Sequence, residues 1–174
     1  MRESAGLTGW VEAVVTDAEG NVVDTRVIHN LITTAGDEYY AKMCAALVGT
    51  PNAAQPTKVT GMKLGTATTA ASKSGAGSYI GTYITGSNQT FDTSYPQTSA
   101  VGSDAGWYVT YRSVWAAGDS TNAAIAEVIV GNDAASDDQG TAAETISRAV
   151  FSPVINKGAS DTLTVTWNHK MLGA

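Results

Sequence analysis

The residues with the most chemical potential are two histidines, a single cysteine and a few carboxylates on or beside expected strands. Catalytic zinc needs three protein ligands and an open fourth position. His29 and His169 could supply two of them, but no HExxH-like spacing accompanies either. Both stand near strand ends, where the plainer reading is a pair of surface imidazoles. Glycoside cleavage needs two converging carboxylates. Glu12, Glu127 and Glu144 lie on or beside expected strands, and nothing places two of them face to face. Each is read as a carboxylate directed to solvent. Asp133, Asp137 and Asp138 offer oxygen ligands of the kind calcium takes. They lack the alternating spacing of a calcium loop, so residues 131–140 are read as a solvated acidic loop.

Phosphate-binding and nucleophile motifs fail in the same way. Lys73-Ser74 is not preceded by the glycines of a P-loop. Gly75-Ala76-Gly77 lacks a third glycine and opens no helix, as a dinucleotide fingerprint must. No serine sits in a Gly-x-Ser-x-Gly elbow. Cys44 is the only cysteine, so an intrachain disulfide is excluded. It lies in an apolar stretch, where an inert core thiol is expected. No catalytic, cofactor-binding or metal residue is therefore assigned, and the chain is read as non-enzymatic.

Aromatic side chains offer a different use. Trp10, Trp107, Trp115 and Trp167 would make a sugar-stacking platform if exposed together. Trp107, Trp115 and Trp167 fall in regular strand patterns, which places them in the core. Tyr79, Tyr83, Phe91 and Tyr95 are carried on a polar segment instead. Recognition surfaces use such residues, so these four are the candidate surface contacts.

Composition narrows the class of function. The chain has 174 residues, 43% hydrophobic and only 15% charged, which suits one folded domain with a weakly charged surface. Such a surface suits contact with other protein copies, because burying charge against a partner costs desolvation energy. Net charge is −6 and the isoelectric point about 4.7, with no Lys/Arg cluster. Nucleic-acid and membrane-surface partners are disfavoured, since both require basic groups. There is no signal-peptide pattern at residues 1–4 and no span of about 20 apolar residues. Synthesis in a cytoplasm, and solubility there, are expected.

The elements that must carry these residues are mostly strands. Residues 7–29 read as a hairpin, with Val11, Ala13 and Val15 alternating with Trp10, Glu12 and Val14 about an Asp17–Asn21 turn. In its second strand Val23 and Val27 alternate with Asp24 and Arg26, one set buried and the other wet. Residues 34–48 read as an amphipathic helix with Tyr39, Tyr40, Met43, Cys44, Leu47 and Val48 on one face, packed on a sheet. Thr34 and Asp37 suggest a capping box, Glu38 and Lys42 an i,i+4 pair, and Gly49 and Pro51 a stop. A strand over 57–64, a small-residue loop over 65–78 and an undecided segment over 79–100 follow. Strands are then expected over 107–115, 123–130, 146–155 (broken at Pro153) and 162–168. The expected fold is an antiparallel β-sandwich, jelly-roll-like, spanning 1–174 as one domain with docked terminal segments.

Several segments together carry a resemblance. Val27-Ile28-His29-Asn30-Leu31-Ile32-Thr33-Thr34-Ala35-Gly36 leading into a helix resembles an opening found in small structural proteins of tailed bacteriophages. Lys63-Leu64-Gly65-Thr66-Ala67-Thr68-Thr69-Ala70 resembles their "L-G-T-G-T-T-A" segment, with Ala67 in place of the second glycine. Ile146 to Phe151, Lys157-Gly158 and Asp161 to Trp167 resemble their closing strand pair. The resemblance implies a virion protein, made in a bacterial host cytoplasm, with no catalytic residues to carry over. A head decoration (cement) protein is the first expectation: a homo-oligomer, preferably a trimer, clamping the major capsid protein. A tail or fibre component touching host glycan through residues 79–95 is the alternative.

Overall fold

The first two strands show why the chain makes a sandwich. In β1 (Thr8–Thr16) Val11, Ala13 and Val15 are buried, while Trp10, Glu12 and Val14 point the other way. One face is therefore apolar and must be covered by a second layer. The turn to β2 (Val22–His29) is built by Asp17, whose carboxylate accepts from the Glu19 and Asn21 amides at 3.0 and 2.8 Å. The Asn21 side-chain amide, together with these backbone amides, holds the Asp17 carboxyl below its usual range, and Gly20 supplies the left-handed residue at φ 87°.

The computed structural model describes residues 7–46, 57–100, 106–132 and 136–172. After β2 come β3 (Leu31–Ile32), α1 (Thr34–Ala46), β4 (Gly61–Gly65), β5 (Gln89–Thr90), β6 (Gln97–Ala100), β7 (Gly106–Trp115), β8 (Asn122–Gly131), β9 (Thr145–Lys157) and β10 (Thr162–Leu172). One sheet has the order β2-β1-β10-β7-β6 and the other β3-β9-β8-β4-β5, with antiparallel pairing throughout. The fold is a β-sandwich. The segment undecided in the sequence, 79–100, holds β5 and β6 joined by turns rather than a helix. The expected docking of residues 1–6 and 173–174, like the helix stop at 49–51, lies outside the described residues. No helix among the described residues is long and apolar enough to cross a membrane.

The core is where the inner faces meet. Leu163, Val165 and Trp167 of β10, with Tyr111 and Trp115 of β7, face Met62, Leu64, Val128, Val130, Ala149 and Phe151 of the second sheet. Trp115 and Trp167 are fully buried, as their alternation predicts. Trp107 is not: it shares the inward face of β7 but lies at the strand end, past the core, and is 57% exposed. Trp10 lies half-buried on the outer face, edge-on to Tyr108 at 5.0 Å.

Two other expectations are corrected, and a third is completed. β9 runs through Pro153, because Phe151–Val154 bulge out where β8 has only Ala126 between its paired residues. A bulge removes the ladder bond that a proline could not make. The cap of α1 is Thr33, not Thr34: its hydroxyl accepts from the Gly36 amide at 3.0 Å. Asp37 is instead paired with Lys73 at 2.6 Å, while Glu38 and Lys42 do pair as expected. In β2 the alternation holds, and the structure sets its phase. Val23 and Val27 are exposed, and Asp24 and Arg26 lie on the core side, because β1 pairs them with Val15 and Ala13.

Candidate functional site

Glu127 is the largest departure from the sequence reading. It stands in an apolar run of β8 and is completely buried, on the sheet face turned away from the sandwich core. Its register partner Gly65 leaves room above it: a side chain at Gly65 would meet Glu127 Oε1 at 2.4 Å. Oε1 accepts from the amides of Ala67, Gly81 and Thr82 at 3.0, 3.1 and 3.0 Å. Oε2 accepts from the Gly81 amide at 3.0 Å and from Arg148 Nε and Nη2 at 2.9 and 2.7 Å. Arg148, on β9 and also fully buried, donates Nη1 to the Gly77 carbonyl at 3.1 Å. These donors occupy the lone pairs of the carboxylate. It therefore works as a tie for segment 66–82.

A second tie lies beside it. Lys63 of β4 is buried and donates Nζ to the carboxylate and carbonyl of Asp138, both at 3.1 Å. Asp137 accepts from the Tyr83 hydroxyl at 2.8 Å and from the Gly86 amide at 2.7 Å. Gln139 donates to the Ile80 carbonyl at 2.6 Å. The acidic loop is thus not simply solvated: residues 137–139 clip segment 79–88 down onto the sheet. The Gly86 amide holds the Asp137 carboxyl low, and the Lys63 ammonium does the same for Asp138. Burial and the bond to Asp137 push the Tyr83 phenol up to about 12. Asp133 lies outside the described residues, and Glu144 caps the turn at Thr141.

The other polar cluster lies at one end of the sandwich interior. His169 continues the inward phase of Leu163, Val165 and Trp167 and is fully buried, so it is not a surface imidazole. Burial pulls its pKa down to about 3, which keeps the ring neutral. Its Nδ1 is bonded to the Tyr40 hydroxyl, which also meets the Tyr111 hydroxyl at 3.1 Å. Burial raises both phenols well above their usual range, so both stay protonated. Tyr40 and Tyr111 form the floor of an open apolar cleft of about 590 Å³, walled by Tyr39, Met43, Val59, Val109 and Met171. Cys44 lines this cleft and is exposed rather than core, because only Tyr40 of the described helical stripe is fully covered. Leu47 and Val48 lie outside the described residues. His29 is exposed, at the far end of β2. Among the described residues no three His, Cys, Asp or Glu side chains are grouped to hold a metal ion.

The four candidate contact residues are dispersed, each half-buried. Tyr83 belongs to the Asp137 clip. Phe91 packs inward on Tyr111, with ring centroids 5.1 Å apart. Tyr95 lies 6.0 Å from the guanidinium of Arg112. Tyr79 follows the 3-10 turn at Gly75–Gly77. Among the described residues, three of the exposed large apolar side chains share β2: Val22, Val23 and Val27 are 61, 57 and 63% exposed, beside Trp107 on β7 and Val154 on β9. A signal for Glu127 and Arg148 was present, since a lone charge inside an apolar strand needs a partner. The β2 surface had none, because alternation alone does not say which phase faces the core. Comparison of the chain with protein-family models, with curated proteins and with solved structures found no match.

Proposed function

We propose that the protein is a structural component of a tailed-phage virion, a capsid decoration protein that acts by sharing surface with neighbouring subunits. The observation that carries the reading is the exposed valine-bearing edge strand β2. An edge strand presents unpaired backbone groups, and exposed apolar side chains beside them favour contact with another chain. Two further features agree with it. The resemblance to small phage structural proteins runs through several segments of the chain. The interior charges Glu127, Arg148 and Lys63 are committed to holding backbone and loops.

A protein that binds only the assembled shell stabilises that shell by mass action. Purified protein added to bare heads is expected to raise their resistance to heat. Absence of binding at about micromolar concentration, which corresponds to roughly 8 kcal/mol, sinks the proposal. Immunogold labelling of virions separates head from tail: label confined to the tail replaces this reading with that of a tail component.

A further inference from the structure

We infer that two copies of the chain pair through their β2 edges, antiparallel about a two-fold axis at Thr25. The inference uses the same β2 edge as the virion reading but concerns the isolated chain, so a monomer in solution and a failure to bind heads are separate outcomes. Its starting point is the direction of the β2 backbone. The Asn30 amide donates to the Gly9 carbonyl at 3.3 Å, so that pair is of the hydrogen-bonded kind. Alternation along the unbroken register then directs the backbone groups of Ile28, Arg26 and Asp24 to β1. Those of His29, Val27 and Thr25 point to the free edge. Among the described residues no strand lies on that side.

A second β2 can add antiparallel only in registers that match outward groups with outward groups. Three such two-fold registers have their centre near the middle of the strand. Centred on Asp24, the pairing sets Asp24 against its own copy. Centred on Arg26, it sets Arg26 against its own copy. Centred on Thr25, it sets Asp24 against the partner's Arg26 at both symmetry-related positions, and Val23 against the partner's Val27. Like charges opposed across a ladder destabilise it and opposite charges stabilise it. Asp24 and Arg26 would meet in the pairs without hydrogen bonds, where side chains approach more closely. Within one chain Asp24 and Arg26 already contact each other on the core side of the strand. The dimer would extend this contact into a four-charge row. On the other face it would set Val23 beside the partner's Val27, now 57 and 63% exposed, and shield their flanks.

The register break after Val15 limits the regular ladder to a few residues. The contact is therefore small beside a standard interface of about 1,600 Å², and a dissociation constant of about micromolar order is expected. Sedimentation velocity of the full chain from about 1 to about 200 μM tests it. The wild type is expected to form a dimer. D24R and R26D should each weaken it about tenfold or more, and D24R/R26D should restore it. An equimolar mixture of D24R and R26D should form a heterodimer, since arginines of one chain then face aspartates of the other. That arm removes any explanation through the intrachain pair. T25P removes an amide directed at the free edge and should give a monomer; it decides the matter if the charge variants fail to fold by circular dichroism. Inward charges on an edge can instead block strand addition. A monomeric wild type, single variants that dimerise like the wild type, or a mixture without heterodimer overturns the inference.

Discussion

The two outer faces of this sandwich solve opposite problems. On the sheet containing β1 and β10, the outer face is a mosaic of Thr164, Thr166, Asn168, Glu12 and Arg112, with Trp10 packed edge-on to Tyr108. Its side chains are half-buried or exposed and reach water directly. On the sheet containing β4, β8 and β9, the outer face is roofed by segments 66–81 and 136–140. Beneath that roof Glu127, Arg148, Lys63 and Ile129 have essentially no exposure, and Ile80 of the roof itself is equally buried. An irregular segment held over a sheet leaves backbone groups that need partners. Charged side chains rising from the strands supply those partners. A sheet face can thus be finished either with short polar residues in water or with a polar roof nailed down by buried ions, and this chain does both.

The difference predicts unequal responses to substitution. E127A should be the most damaging change, about 3–5 kcal/mol by urea or guanidinium denaturation, because Arg148 would be left buried without its counter-ion. Replacing both, as E127M/R148M, should cost less than either single removal; an additive result would break the picture of a coupled tie. Hydrogen exchange should also show the Gly81 and Thr82 amides losing protection in E127A, since both donate to this carboxylate.

Next comes the interior between the two faces. His169 has a folded pKa near 3 against 6.5 for the free group, so the unfolded chain takes up the proton first. Its contribution to stability is complete above about pH 6.5 and declines as pH falls toward 3, with a limiting slope of about 1.4 kcal/mol per pH unit. Between pH 7 and 4.5 the wild type should lose about 2–3 kcal/mol more than H169F. Parallel pH profiles for the two proteins would show that the imidazole is not desolvated.

Smaller effects sharpen the contrast. Y83F removes the hydroxyl that bridges Asp137 and the Asn88 amide, and should cost about 1 kcal/mol. T166A, on the open face between Glu12 and Arg112, should stay within about 0.5 kcal/mol of wild type in the same denaturation assay. A T166A loss comparable with that of E127A would show that the open face is not merely solvated.

Much of the fold was legible because alternation is a local property. Val11, Ala13 and Val15, and Leu163, Val165 and Trp167, announce a buried face by their spacing alone. Turn chemistry at Asp17 to Asn21 and the helix beginning at Thr34 are equally local. His169 was legible in principle, since it keeps the phase of Trp167, but polarity outweighed phase in reading it as exposed. The candidate site was less visible. Asp137 and Asp138 have the composition of a free acidic loop, and only the presence of Tyr83, Gly86 and Lys63 beside them makes them structural.

What the chain order determined by itself is the longer strands β1, β2, β4 and β7 to β10, the described α-helix and the residues that alternate, because these depend on neighbours two to four positions away. What the tertiary structure alone decided is which phase of β2 faces inward, which sheet face receives a roof, and that Glu127 and Arg148 meet beneath it. Those outcomes depend on register between strands and on loops folded back over a sheet, and no local pattern encodes a distance between residues that far apart in the chain.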